Sequence, residues 1–313
     1  MKTVLTTNPT KAARFIKQGG LVAFPTETVY GLGADIFNEK AIEKIFIAKG
    51  RPSDNPLIAH VAAREQINLL VSEVTGSAEK FIEAFFPAPL TLVLPKSTRV
   101  PLIATANLPT IGVRMPRHDL AREFLNECSA PLVAPSANIS GKPSPTTWQA
   151  VFEDLNDRID CILQGEQTEV GLESTVVDCT KDFPLVLRVG AVSLEELQRV
   201  VPETTIYKAG NAEKLPSPGL KYRHYSPQAK VVLMNPKSEI RNPKSGAFIG
   251  LDEPVQEFAL KKVCSSVEEY AHEVFAFFRE CDSIGIETIF CQTVEESGIG
   301  RALMDRLKRA ANA

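Results

Sequence analysis

Residues 21–33 read Leu21-Val22-Ala23-Phe24-Pro25-Thr26-Glu27-Thr28-Val29-Tyr30-Gly31-Leu32-Gly33. The first four form a short apolar run stopped by a proline, as in a buried strand. Hydroxyls, a carboxylate and glycines follow at once. An open α/β sheet places its ligand crevice where strands end, and glycine lets backbone approach a ligand closely. An ordinary tight connection would use the same residue types.

Working outward, Asn8 to Gln18 has helical spacing, with Ala12, Ala13, Phe15 and Ile16 as its apolar residues. Asn8 is placed to cap it, Pro9 suits the first helical position, and Gly19-Gly20 ends it. Lys40 to Ala48 is helical again. Leu57–Val61, Leu90–Leu94, Ile111–Arg114, Leu132–Ala134, Thr175–Asp178 and Leu185–Val189 read as strands, with helical patterns between several. The alternation predicts an α/β fold. Some spacings are too short for a helical crossover, so the sheet should be mixed.

From about Pro202 to Pro227, four prolines punctuate a stretch with little periodicity, which is a linker composition. Beyond it, Ala229–Met234, Ala247–Leu251 and Ser283–Cys291 read as strands, and Val267–Arg279 and Gly300–Ala311 as helices. They suit a small, Rossmann-like three-layer α/β domain. The expected organisation is a catalytic domain at 1–200, a linker at 201–229 and a small domain at 230–313. The tetrapeptide Asn-Pro-Lys-Ser occurs at 235–238 and again at 242–245. It is far shorter than a structural repeat and reads as an elongated surface loop.

The chain has 313 residues, of which 44% are hydrophobic and 23% charged, so each domain can bury a core. The formal net charge of -3 argues against a protein built to grip a nucleic-acid backbone. Six cysteines (Cys128, Cys161, Cys179, Cys264, Cys281 and Cys291) include no C-x-x-C pair, and read as free thiols in a reducing compartment. No apolar run reaches the roughly 18 residues of a membrane span, and the opening residues lack a signal-peptide core. A soluble, cytoplasmic protein is expected. P-loop, H-E-x-x-H and G-x-S-x-G motifs are absent, as are metal-spaced Cys/His clusters.

Further constellations carry chemistry. Lys49-Gly50-Arg51-Pro52-Ser53-Asp54-Asn55-Pro56 is a positive loop stiffened by prolines. Its lysine suits a helix C-terminus, and its arginine offers a planar fork to phosphate oxygens. His60 lies in the next strand, where a lone histidine is usually a satisfied core residue. Arg114 sits in the strand Ile111–Arg114 and needs an anionic partner, either a substrate carboxylate or an internal Asp or Glu. Ala134-Pro135-Ser136-Ala137-Asn138 and Ser140 to Ser144 offer hydroxyls and an amide to phosphate or ribose, or to local turns. Gly171-Leu172-Glu173-Ser174 enters a strand. Tyr222, Arg223, His224 and Tyr225 enrich the linker in aromatics and cations, which suggests a strip lying on a ligand or a domain face.

Taken in order, PTETVYGLG, KGRPSDNPL, GVRMP, APSANISGKPS and ESTVVD resemble the YrdC-type catalytic domain. SPGLKYRHYSP, followed by a small domain ending GIGRALMDRLKRAA, resembles the two-domain L-threonylcarbamoyladenylate synthases. The likeness spans nearly the whole chain. It implies a YrdC-like twisted mixed sheet with helices, and a reaction joining L-threonine, bicarbonate and ATP into threonylcarbamoyl-AMP and pyrophosphate. A downstream complex, met transiently, would pass the group to an adenosine beside the tRNA anticodon, so tRNA contact here should be weak or indirect. Carried over by motif, the threonine side is Thr28, His60, Arg114, Ala134 and Ser174, with Arg114 facing the amino-acid carboxylate. The nucleotide side is Lys49, Arg51, Asn55, Thr110, Ser136, Ser144, Arg188 and Tyr225, with Asn138 near the phosphates and the linker as a lid. Lys49, Arg51 and a magnesium ion brought by ATP would offset phosphate charge. Competing readings are an RNA-binding module, a carbamoyl transferase of the hydrogenase-maturation kind and an amino-acid-binding regulator.

Overall fold

The computed structural model describes residues 2–207, 226–235 and 245–312. Its strands, in chain order, are β1 (Val4–Thr6), β2 (Val22–Phe24), β3 (Gly31–Asp35), β4 (Ile58–His60), β5 (Leu90–Pro95), β6 (Thr110–Arg114), β7 (Leu132–Val133), β8 (Cys161–Leu163), β9 (Thr175–Asp178), β10 (Leu185–Arg188), β11 (Thr205–Ile206), β12 (Lys230–Met234), β13 (Ala247–Gly250), β14 (Leu260–Val263) and β15 (Thr288–Gln292). The helices are α1 (Pro9–Lys17), α2 (Glu39–Lys49), α3 (Ile67–Leu70), α4 (Gly76–Phe85), α5 (Asp119–Cys128), α6 (Trp148–Leu155), α7 (Leu194–Val200), α8 (Val267–Ser283) and α9 (Gly298–Ala311).

The first eleven strands form one mixed sheet in the order β1-β8-β2-β3-β7-β4-β6-β5-β9-β10-β11. The last four form a separate sheet, β12-β15-β13-β14, whose pairings are all parallel. The predicted Asn8 cap is present, and α2 is capped at both ends. Asn8 accepts from Lys11 N at 2.9 Å to open α1, and Asn38 accepts from Ala41 N to open α2. Gly50 closes α2 in the left-handed conformation, at φ 59°.

Two local expectations need correction. Gly31-Leu32-Gly33, read as part of a ligand loop, opens β3, which pairs antiparallel with β2 and with β7. A Cβ on Gly33 would stand only 3.1 Å from both Leu132 and Phe24, so a side chain there would crowd the strand's neighbours. Ser283, read as the start of a strand, instead ends α8, and the strand begins at Thr288. Tyr222 and Tyr225, most of the expected linker and most of the repeated tetrapeptide lie outside the described residues.

All six cysteines are free and buried, and burial pushes the Cys128, Cys161, Cys179 and Cys281 thiols up to about 12. No described helix is long and apolar enough to cross a membrane.

The apolar core built on β12–β15, α8 and α9 also takes in Val29 and Leu172 from the first unit. Around that contact, His272 Nδ1 lies 2.9 Å from Glu169 O, and Arg301 pairs with Glu195 at 2.8 Å. Gly171 has φ +78°, and a Cβ on it would come within 2.5 Å of the His272 backbone. Gly171→Ala therefore meets both a disfavoured conformation and a rigid neighbour. We expect it to lower stability by roughly 1–3 kcal/mol, measured by urea unfolding.

Candidate active site

Strand register sets the site. His60 of β4 lies beside Arg114 of β6, so both side chains leave the sheet at the same end. Loops after β2 and β7 and the turn before β9 close over that end. Thr26 shapes the first by donating its hydroxyl to Val29 O at 2.7 Å while accepting from the Thr28 and Val29 amides. The second loop is tied to Tyr30, whose carbonyl accepts from Ala137 N at 2.8 Å and whose amide donates to Pro145 O at 2.9 Å.

The result is an open cleft at the ends of β4 and β6. Thr28, His60, Arg114, Ala134 and Ser174, the five residues expected on the threonine side, all line it. Arg51, Ser136, Asn138, Ser144 and Arg188 line it too. Lys49, Asn55 and Thr110 are not on its wall. Lys49 lies beneath it, and Asn55 is buried with its carbonyl 3.4 Å from Arg51 Nη2. Thr110 begins the strand that Arg114 ends, a separation of about 13 Å at the usual rise per residue.

Charge in the cleft is organised by burial. Arg114 Nη2 stands 2.8 Å from Glu27 Oε1, with both side chains buried. The alignment is too poor for a hydrogen bond, and Arg114 Nε has no partner among the described residues. Of the two partners the sequence allows Arg114, the internal carboxylate is present, and part of the guanidinium fork is left over. Arg188 donates through Nε and Nη2 to Ser174 O, at 3.1 and 2.9 Å. Lys49 Nζ donates to Ser136 O at 2.5 Å and to Asn138 O, pinning the loop that carries both cleft residues. Burial first, then the charge of Arg51, pushes the Lys49 ammonium well below its ordinary range.

Burial and then Arg114 push His60 down to about 3. The ring is therefore neutral in the folded chain at pH 7, edge-on to Phe24 with centroids 5.9 Å apart. The unfolded chain protonates His60 near 6.5, so its contribution is intact above pH 6.5 and is lost as pH falls toward 3. Between pH 6.5 and 5.0, the chain should lose about 1.5 kcal/mol more than His60→Gln does, read from paired urea titrations.

Sequence reasoning gave no separate role to Glu27 and Glu173, the two carboxylates at the site. Their signal lay in the arginines. Arg114 and Arg306 are both buried, and each buried guanidinium needs an anion.

Residues 14–190 match a family model described as "Telomere recombination", and residues 192–312 one described as "Threonylcarbamoyl-AMP synthase, C-terminal domain". The threonylcarbamoyl-AMP synthase of Pyrococcus abyssi is 43% identical over 315 residues, which cover 96% of this chain and 93% of that protein. The chain belongs to the threonylcarbamoyl-AMP synthase family. Another family member, from Bacillus subtilis, is 38% identical over 318 residues, covering 96% of this chain and 92% of its own length. The crystal structure of P. abyssi Sua5 complexed with L-threonine superposes with a TM-score of 0.91 at 41% identity, covering 99% of this chain and 97% of that one. A member of this family is thus known to hold L-threonine, and its fold is shared along nearly the entire chain.

Proposed function

We propose that this chain is a nucleotidyltransferase that makes threonylcarbamoyl-AMP and pyrophosphate from L-threonine, bicarbonate and ATP, in the cytoplasm, for threonylcarbamoyladenosine formation in tRNA. The observation that carries the reading is the convergence in one cleft of Thr28, His60, Arg114, Ala134 and Ser174 with Arg51, Ser136, Ser144 and Arg188. The L-threonine complex of the P. abyssi relative supports assigning the first group to the amino acid.

In this reading, the free part of the Arg114 fork takes the threonine carboxylate, a planar match. Neutral His60 adds no second cation beside it. The amine attacks the carbon of bicarbonate, water leaves, and a carbamate results. A carbamate oxygen then attacks the α-phosphorus of ATP, the bond from that phosphorus to the bridging oxygen breaks, and pyrophosphate departs with the electron pair. No covalent enzyme intermediate is required. Arg51 and Arg188 would offset the negative charge, and Lys49 would hold the 136–138 loop in register, so catalysis rests on placement and preorganised charge. Asn55, Thr110 and Tyr225 remain nucleotide-side assignments that rest on the family resemblance.

Among the described residues no three His, Cys, Asp or Glu side chains gather to hold a metal, and Glu27 and Glu173 each face an arginine. Magnesium would enter as part of the MgATP substrate. The net charge of -3 supports a protein that makes a small intermediate and passes it transiently to a downstream transfer complex. Pyrophosphate release that requires both L-threonine and bicarbonate, with the matching AMP adduct by mass spectrometry, is the expected result. Release without threonine, or none at all, would overturn the reading.

A further inference from the structure

Two arginines of the C-terminal unit hold the surroundings of Ser144, one directly and one through Glu173. Arg279 of α8 donates to Pro143 O at 2.5 Å and to Asp154 Oδ2 at 2.8 Å. Arg306 of α9 is 1% exposed, and donates through Nε to Glu173 Oε2 at 2.8 Å and through Nη2 to Val189 O at 3.0 Å. The other oxygen of Glu173, Oε1, accepts the hydroxyl of Ser144 at 2.6 Å. Ser144 and Glu173 both line the cleft.

A serine hydroxyl has one proton and two lone pairs. Here the proton is given to Glu173, and only lone pairs remain for a ligand. Burial alone would raise the Glu173 carboxyl, but Arg306, then Arg188 and the Ser144 hydroxyl, hold it below its ordinary range. The carboxylate is therefore ionised at neutral pH and cannot lend a proton back. Asp305, paired with Arg306 Nη1 at 2.6 Å and with Arg309 at 2.9 Å, steadies the cation from its own helix.

We propose that Glu173 is a positioning residue which, clamped by Arg306 of the C-terminal helix, fixes Ser144 as a hydrogen-bond acceptor toward the bound nucleotide. At this point the site selects an N–H or O–H of the nucleoside part of ATP and disfavours a phosphate oxygen. The inference rests on the proposed reading that a nucleotide occupies this wall. It gives the C-terminal unit a direct part in forming the site.

Glu173→Gln tests it with little change of volume. Its amide turns the oxygen to Arg306 and the NH₂ to Ser144, which reverses the serine hydroxyl. By titration calorimetry the variant should bind ATP at least tenfold more weakly, and L-threonine and inorganic pyrophosphate within twofold of the unmodified chain. Ser144→Ala should weaken ATP similarly, and the double variant should be no worse than either single one. Arg306→Met should match Glu173→Gln, whereas Arg306→Lys, which keeps the charge, should recover most of the ATP affinity. Unchanged ATP affinity in Glu173→Gln, additive effects with Ser144→Ala, or an equal loss for pyrophosphate would overturn the inference while leaving the proposed function standing. An unmodified chain that binds no ATP would overturn both.

Discussion

Replacing Arg114 by methionine should cost about 3–5 kcal/mol of folding stability and remove L-threonine binding together. The stability loss comes from Glu27. Its side chain is fully buried, with the Arg114 guanidinium 2.8 Å away. Without that cation the buried carboxylate is left with no counter-charge, which is unfavourable. The binding loss has a different origin, the part of the guanidinium fork that Glu27 does not occupy. A second substitution separates the two. Arg114→Met with Glu27→Gln should regain most of the stability and none of the binding, because it removes the stranded charge without restoring the fork. Urea unfolding reads the first effect and calorimetric titration with L-threonine the second. A single variant that loses less than about 1 kcal/mol would mean that the Glu27–Arg114 pair is not what holds this part of the fold.

Lys49→Met should lower kcat/KM for ATP by about 100-fold or more, the scale found when a preorganised donor is removed from an active site. The lysine amine satisfies the Ser136 and Asn138 carbonyls from beneath the cleft. Methionine fills the same space but strands both carbonyls. Ser136 and Asn138, themselves joined by a 2.5 Å hydrogen bond from Ser136 Oγ to Asn138 Oδ1, then lose their fixed register. Because the effect is on placement, KM for ATP should rise and kcat fall together, while L-threonine affinity changes little. Steady-state pyrophosphate release at varied ATP measures it. Turnover within threefold of the unmodified chain would show that the loop holds its place without the lysine.

The cleft wall was legible as separate motifs because Thr28, His60, Arg114 and Ala134 stand at or just beyond the ends of strands and Ser174 just before one, where α/β sheets form sites. What the sequence hides is long-range. Gly31-Leu32-Gly33 has no side-chain alternation of a strand, and becomes one because its glycines fit against Phe24 and Leu132. Glu173 and Arg306 are 133 positions apart, so no local pattern links them. The same holds for Lys49, whose position at a helix end suited either a phosphate ligand or a dipole partner. Only the folded chain turns its amine toward carbonyls on the 136–138 loop. The strand starting at Ser283 was misread because Gly285, which ends α8 in the left-handed conformation at φ 75°, was taken into the strand instead of being read as a helix stop.

Val29, which lines the cleft, and Leu172 both belong to the C-terminal core although the first unit supplies them. A chain cut after the first sheet would leave these two apolar side chains as a wet scar beside the cleft. It would also strand Glu173 without Arg306. Excising the catalytic sheet therefore does not yield a smaller version of the same enzyme, and a designer wanting one must first regraft that face with polar residues and give Glu173 a new counterion.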